Sequence, residues 1–76
     1  MTHYVVISGI PVKVYNDDDE EVFLAVKTLV EEDRVTDCKL LLRALDIIVT
    51  RHYSRTLFKL LDKKLAEAIA TGECTF

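Results

Sequence analysis

Six basic side chains that recur every four residues form the most regular chemical pattern in this sequence. The row has one gap, where Ile47 stands in place of a further basic residue. Such a row can follow phosphates or bind an acidic protein surface, and its arginines suit bidentate contacts. It can also be the solvated face of amphipathic helices whose long side chains cover the core. The row consists of Lys39, Arg43, Arg51, Arg55, Lys59 and Lys63.

Two tyrosines near the N-terminus are the second candidate binding site. Residues 3–15 are rich in β-branched and aromatic side chains, which predicts a β-hairpin. Gly9 and Ile10 suit a two-residue type II′ turn, and this register places Tyr4 opposite Tyr15 on one face. The first strand has little to protect its edge, so we expect a second copy or a partner strand to pair with it. The alternative is that a helix of the same chain covers the tyrosine face.

The residue spacing does not support metal binding, cofactor binding or catalysis. The acidic run at 17–21 fails as a calcium loop, because Val22 and Thr28 stand where the loop needs glycine and glutamate. No glycine-rich phosphate loop or nucleophile motif occurs. We therefore expect no metal, no cofactor and no enzymatic activity, and we expect both cysteines to be reduced. The soft metal ligands are too far apart in sequence for a zinc motif; they are His3, Cys38, His52 and Cys74.

The predicted fold is α+β: one domain over residues 1–76, in which a two-stranded antiparallel hairpin precedes three helices (ββααα). The second helix is apolar around most of its circumference, which predicts that it is buried nearly all round. We expect an acidic capping pair at the start of the first helix, Thr36 or Asp37 as the N-cap of the second, and Gly72 at the end of the third. The acidic pairs are Asp17 with Glu20, or Asp18 with Glu21. The predicted elements are a hairpin at 3–15, helices at about 18–32, 37–53 and 55–70, and a tail at 71–76.

The apolar pattern continues from the second helix into the third. One helix over residues 37–70 would be about 50 Å long, whereas a compact chain of this size is about 30 Å across. Thr50, Ser54 and Thr56 are weak helix formers, so we expect a break between Arg51 and Thr56, with Ser54 as the next cap. The alternative is an unbroken helix that protrudes and forms a dimer.

The charge of the chain is divided unevenly along its length. The 76 residues are 50% hydrophobic and 30% charged, which predicts a folded domain, and the net charge is −3. Residues 1–37 hold three basic and nine acidic side chains, whereas residues 38–76 hold seven basic and four acidic ones. No apolar stretch is long enough for a membrane span and no signal-peptide pattern is visible. We therefore expect a cytoplasmic protein whose charged regions steer its partners.

These features predict a non-enzymatic protein-binding module that occludes a partner's surface through the basic row and the exposed hairpin. In size and style only, the chain resembles phage- or mobile-element-encoded inhibitors of host machinery, including anti-defence proteins. A small nucleic-acid-binding regulator that uses the same row is an alternative. Against a helix-turn-helix at the turn 33–36, the following helix offers core residues where base contacts are needed. A structural subunit of a larger assembly is the second alternative.

Overall fold

A two-stranded antiparallel β-hairpin followed by three α-helices forms the fold, which confirms the predicted α+β class. The computed structural model describes residues 3–74, so positions 75 and 76 of the predicted tail lie outside the described residues. The helices begin and end within three residues of the predicted positions. The elements are β1 (His3–Ile7), β2 (Ile10–Val14), α1 (Asp17–Glu31), α2 (Cys38–Thr50) and α3 (Arg55–Thr71).

The turn of the hairpin lies one residue earlier than predicted. Its central residues, Ser8 and Gly9, both have positive φ, at 49° and 81°, and a type I′ turn requires this of both positions. Tyr4 consequently pairs with Lys13 and not with Tyr15. The predicted register is therefore wrong. Each residue of β1 pairs with a residue of β2 two positions earlier than predicted. Because side chains alternate between the two faces of a strand, each side chain keeps its predicted face of the sheet.

Side-chain caps begin the helices, but the cap of α1 differs from the prediction. The Oδ1 atom of Asn16 accepts a hydrogen bond from the backbone N–H of Asp19 at 2.8 Å, and its Nδ2 donates to Asp19 Oδ2 at 3.0 Å. Asn16 is therefore the N-cap, in place of Asp17 or Asp18. Those two residues lie in the first turn, where their negative charges interact favourably with the positive end of the helix dipole. Asp37 caps α2, as one of its two predicted caps.

A short connection, Arg51–Ser54, separates α2 from α3. His52 adopts the left-handed conformation with φ of 58°, and the backbone N–H of Tyr53 donates to the carbonyl of Ile48 at 2.9 Å. This is the long hydrogen bond of a Schellman motif, which ends a helix. Ser54 then caps α3 through its side chain. The helical dimer implied by one unbroken helix therefore has no basis in this fold.

The return of α3 along α2 brings the start of α2 to the end of α3. Cys38 is the first residue of α2 and Cys74 follows α3; their Cα atoms are 5.6 Å apart and their sulfur atoms form a disulfide. The prediction of two reduced thiols is therefore wrong. The cysteines are 36 residues apart in sequence, and only the antiparallel packing of the two helices makes them neighbours.

The core lies between the inner face of the hairpin and the three helices. Phe23, Leu41 and Leu57, one from each helix, are fully buried in it. The expectation that α2 is buried nearly all round is wrong, because Leu42 is 44% exposed and Val49 is 61% exposed. Among the described residues, no helix is both long enough and apolar enough to cross a membrane.

Candidate functional site

A groove opens where α2 ends and α3 begins, and we call it the corner groove. Its volume is about 700 Å³, which lies within the usual range of ligand-binding pockets. Its lining joins side chains from the last turn of α2, the connection and the first turns of α3. The lining has an apolar floor of Ile48, Val49 and Phe58, a basic rim of Arg55 and Lys59, and two further residues, His52 and Tyr53.

The rim of the corner groove carries two positive charges. Arg55 is the first residue of α3 and Lys59 follows one turn later, a rise of about 6 Å along the helix. Both side chains are exposed, and no acidic residue lines the groove. Within residues 3–74, neither takes part in an ion pair. The rim is therefore free to bind an external anion or carboxylate.

The floor of the corner groove leaves apolar surface open to solvent. Val49 is 61% exposed, whereas Ile48 is buried and Phe58 is half-buried against the core. Single exposed apolar residues are common on protein surfaces. Here Val49 and Phe58 line one concave surface beside two cationic side chains. An apolar centre with a charged edge is the usual composition of a protein-binding surface.

A buried hydrogen-bond network fixes the corner to α1. Asp19 is 2% exposed, and its Oδ2 atom accepts a hydrogen bond from the Tyr53 hydroxyl at 2.7 Å. The same oxygen lies 3.0 Å from Nε of Arg51 and 3.0 Å from Nδ2 of Asn16. The Tyr53 hydroxyl also accepts a hydrogen bond from the backbone N–H of Tyr15 at 3.2 Å. The network thus joins the end of β2, the start of α1 and the connection that carries the groove.

Aromatic packing adds to this network. The ring of Tyr15 stacks on that of Tyr53 with centroids 5.4 Å apart, and Phe23 meets Tyr53 edge-on at 5.2 Å. Burial raises the pKa of Tyr53 above its usual 10.0 and the Asp19 carboxylate raises it further, while the Tyr15 N–H and the charge of Arg51 oppose the change. The phenol therefore stays protonated at neutral pH and serves Asp19 as a donor. Tyr53 is a positioning residue for the corner.

The helix break divides the predicted basic row. Arg51 lies in the connection, where its guanidinium pairs with the buried Asp19. Arg55 and Lys59 form the rim of the corner groove. Lys63 lies one turn further along α3 with an exposed side chain. The second half of the row therefore contains one residue that holds the fold together and three that face solvent.

The first half of the row lies on α2, away from the corner groove. Lys39 is exposed near the start of the helix. Arg43 lines a smaller depression of about 260 Å³ between α1 and α2, together with Asp18 and Glu21. Acidic side chains thus share the surroundings of Arg43, whereas they are absent from the lining of the corner groove. The structure does not bring all six basic residues into one surface.

The two candidate tyrosines occupy different places. Tyr4 is 67% exposed on the outer face of the hairpin, opposite Lys13. Tyr15 follows β2 and stacks on Tyr53, although it is still 57% exposed. No helix in the described part of the chain covers Tyr4. Tyr4 and Tyr15 are therefore not the cross-strand partners that the sequence predicted. Tyr15 instead stacks on Tyr53, which lines the corner groove.

The edge of β1 is less open than predicted, because two side chains of α1 reach it. Lys27 Nζ donates to the backbone carbonyl of Val6, and Glu31 accepts from the backbone N–H of Ser8 at 3.0 Å. Val6 lies between the hydrogen-bonded pairs of the ladder, so its carbonyl points away from β2. The Ser8 N–H, and then Lys27, lower the pKa of Glu31. These contacts occupy part of the edge at which a second strand was expected to pair.

Sequence reasoning assigned three residues of this region to other roles. In the sequence Asp19 is one of several acids at a helix start, and the apolar patterns of α2 and α3 do not distinguish Val49 and Phe58 from core residues. A signal for Val49 was present, since α2 carries more apolar residues than one buried stripe needs. The burial of Asp19 has no such signal, because it depends on Tyr53 and Arg51 arriving from a distant part of the chain.

Metal ligation has no visible basis in residues 3–74, where no group of three or more His, Cys, Asp or Glu side chains is placed to hold an ion. Comparisons with protein-family models, with curated proteins and with solved structures find no significant match to this chain.

Proposed function

We propose that this chain is a non-enzymatic protein-binding module whose binding surface is the corner groove. The observation that carries the proposal is the exposed apolar floor, with Val49 at 61% exposure, beside the charges of Arg55 and Lys59, which form no ion pair within residues 3–74. Apolar residues at such a surface supply affinity, while charged residues at its edge supply specificity and speed of association. The Asp19–Tyr53 network holds the groove in one conformation, which lowers the entropic cost of binding.

The mode of action that we propose is occlusion. A small chain with a fixed groove competes with other molecules that bind the same segment of its partner. This competition requires no catalytic step. This is how an inhibitor of a host protein complex would act, as the size and style of the sequence predict. A phage or mobile-element origin stays a prediction.

Nucleic-acid binding is the second candidate, and exposed Lys63 next to the rim favours it. Duplex binding draws its affinity from many phosphate contacts. Here Arg51 is paired with Asp19, and Arg43 lies near Asp18 and Glu21. The remaining cations on α3 form a short row beside the apolar floor of the corner groove. This arrangement suits a protein partner better than a nucleic acid.

The proposal is tested by affinity capture from a lysate of the organism that encodes the chain, with and without nuclease. The test variant is R55E/K59E and the control is K13E/K39E, which makes the same change in net charge at exposed residues outside the groove. We expect one stoichiometric protein to be captured by the wild type and by the control but not by the test variant. Equal capture by all three chains would refute the corner groove as the binding surface. Capture that depends on the absence of nuclease would favour nucleic acid.

A further inference from the structure

We infer that the corner groove takes an acidic segment of the partner protein, with carboxylates on the rim and one apolar side chain on the floor. This inference rests on the proposed function and adds the chemistry of the bound segment. The volume of about 700 Å³ suits a few side chains of a peptide rather than a whole folded face.

Charge complementarity identifies the acidic character of the segment. The titratable residues that line the groove are His52, Tyr53, Arg55 and Lys59, so the lining contains no carboxylate. The nearest buried carboxylate, that of Asp19, is engaged by Arg51 and by the Tyr53 hydroxyl. Two carboxylates about 6 Å apart match the spacing of Arg55 and Lys59 along α3. A basic segment would face two like charges and no counter-charge.

The floor identifies the second requirement, an apolar anchor. Val49 and Phe58 present aliphatic and aromatic surface that no other side chain of the described residues covers fully. A leucine or phenylalanine placed there removes this surface from water, which the carboxylates alone cannot do. A purely acidic ligand, such as a phosphate chain, would leave the floor exposed.

The position of Arg55 supports a role in binding rather than in folding. It is the first residue of α3, and the first turn of α3 contains no acidic side chain. A positive charge at a helix N-terminus opposes the helix dipole. Arg55 has no ion-pair partner among residues 3–74 that would compensate for this. Replacing Arg55 with glutamine should therefore preserve or raise thermal stability while it weakens binding.

The test uses the full chain and a display library of random twelve-residue peptides. Peptides selected on the wild type are synthesised, and their affinities are measured for the wild type, for R55Q/K59Q, for V49S and for the control K13Q/K39Q. We expect the selected peptides to combine Asp or Glu with Leu or Phe. We expect affinity to fall roughly tenfold in R55Q/K59Q, as two rim ion pairs can supply, and to fall in V49S but not in the control.

The salt dependence of binding distinguishes the contribution of the rim charges from that of the apolar floor. The R55Q/K59Q variant should lose most of the salt dependence of binding, whereas V49S should keep it. Selected peptides that are neutral or basic, peptides that bind all four chains equally, or no selected peptide at all would overturn the inference. A duplex oligonucleotide that binds through the rim while no peptide does would assign the site to nucleic acid. If R55E/K59E still abolishes capture of the protein from the lysate in any of these cases, the proposed function survives. Only the inferred chemistry of the bound segment is then wrong.

Discussion

Two hydrogen bonds and one ion pair converge on a single carboxylate oxygen of Asp19, although this residue is one of five consecutive acids in the sequence. Its neighbours Asp17 and Asp18 are exposed, and their charges serve the helix dipole. Asp19 instead accepts hydrogen bonds from Tyr53 and from its own cap, Asn16, and it forms an ion pair with Arg51. Removing it would leave the Tyr53 hydroxyl without its acceptor and Arg51 without its partner. The stability of the corner therefore depends on this side chain far more than on the acids beside it.

The first prediction concerns Asp19. The substitution D19A should lower the free energy of unfolding by about 2–4 kcal/mol, because it breaks two hydrogen bonds to a buried carboxylate and the ion pair of that carboxylate with the half-exposed Arg51. The control D18A removes an exposed acid from the same helical turn and should change the free energy by about 0.5 kcal/mol or less. Urea unfolding followed by circular dichroism measures both. Equal losses in the two variants would show that Asp19 acts only through the helix dipole.

The second prediction follows from the pKa of Tyr53, which burial raises above 10.0. The folded state holds the phenolic proton more tightly than the unfolded state does. The stability that this proton provides is complete below pH 10 and is lost as the pH rises through the folded-state pKa. The difference in stability between the wild type and Y53F should therefore be constant at neutral pH and shrink above pH 10. A difference that grows above pH 10 would contradict the raised pKa of Tyr53.

Between elements, contacts that are distant in sequence decide how the hairpin and the helices are held together. Lys27 and Glu31 of α1 reach the edge of β1, and the Cys38–Cys74 disulfide joins the start of α2 to the end of α3. The connection Arg51–Ser54 lets α3 return along α2, and the corner groove lies at this connection. The disulfide and the groove therefore lie at opposite ends of the same helix pair.

The third prediction concerns this disulfide. Reduction should lower the free energy of unfolding by about 3–4 kcal/mol, the value expected for closing a loop of this length in the unfolded chain. Urea unfolding with and without dithiothreitol measures the change. The double variant C38S/C74S serves as the control, because reductant should not affect it. Free thiols in the air-oxidised wild type, or no effect of reductant, would contradict the bond.

The elements were predictable from sequence because each depends on local patterns. The hairpin follows from β-branched residues, the helix break from Thr50 and Ser54, and the end of α3 from Gly72. The turn was placed one residue late because Gly9 fits both a type I′ and a type II′ turn, and Ser8 is an uncommon residue at positive φ. Pro11 separates the two registers. The predicted register puts it at a hydrogen-bonded position that needs the N–H it lacks, whereas the observed register pairs it with Val6 at a non-hydrogen-bonded position.

The candidate site was predictable only in part. The spacing of the basic row identified Arg55 and Lys59 as candidate binding residues, but their grouping with Val49 depends on the path of the chain after the break. The disulfide and the burial of Asp19 likewise require packing between segments that are far apart in sequence. Tyr15 was paired with the wrong partner because the register of the hairpin was wrong.

For the molecule as a whole, the uneven charge distribution contributes to the fold as well as to the proposed recognition of a partner. Within the described residues, two ion pairs join the basic C-terminal half to the acidic N-terminal half: Arg51 with Asp19 at 3.0 Å and Lys64 with Asp33 at 3.7 Å. The cations left over on α3 include the rim of the corner groove. The net charge of −3 opposes general attraction to nucleic acid. A basic rim on a molecule of net negative charge therefore suits a short acidic segment of a partner protein better than a nucleic acid.

The most direct test of this account is site-specific photo-crosslinking in the lysate of the encoding organism. A benzophenone amino acid is placed at Val49 in the corner groove and, as controls, at Leu24 or Ile69, which are also exposed and apolar but do not line the groove. We predict that the Val49 probe alone forms an adduct with one protein, and that R55E/K59E abolishes it. Adducts of the same protein from the control positions but not from Val49 would contradict the corner groove as the binding site.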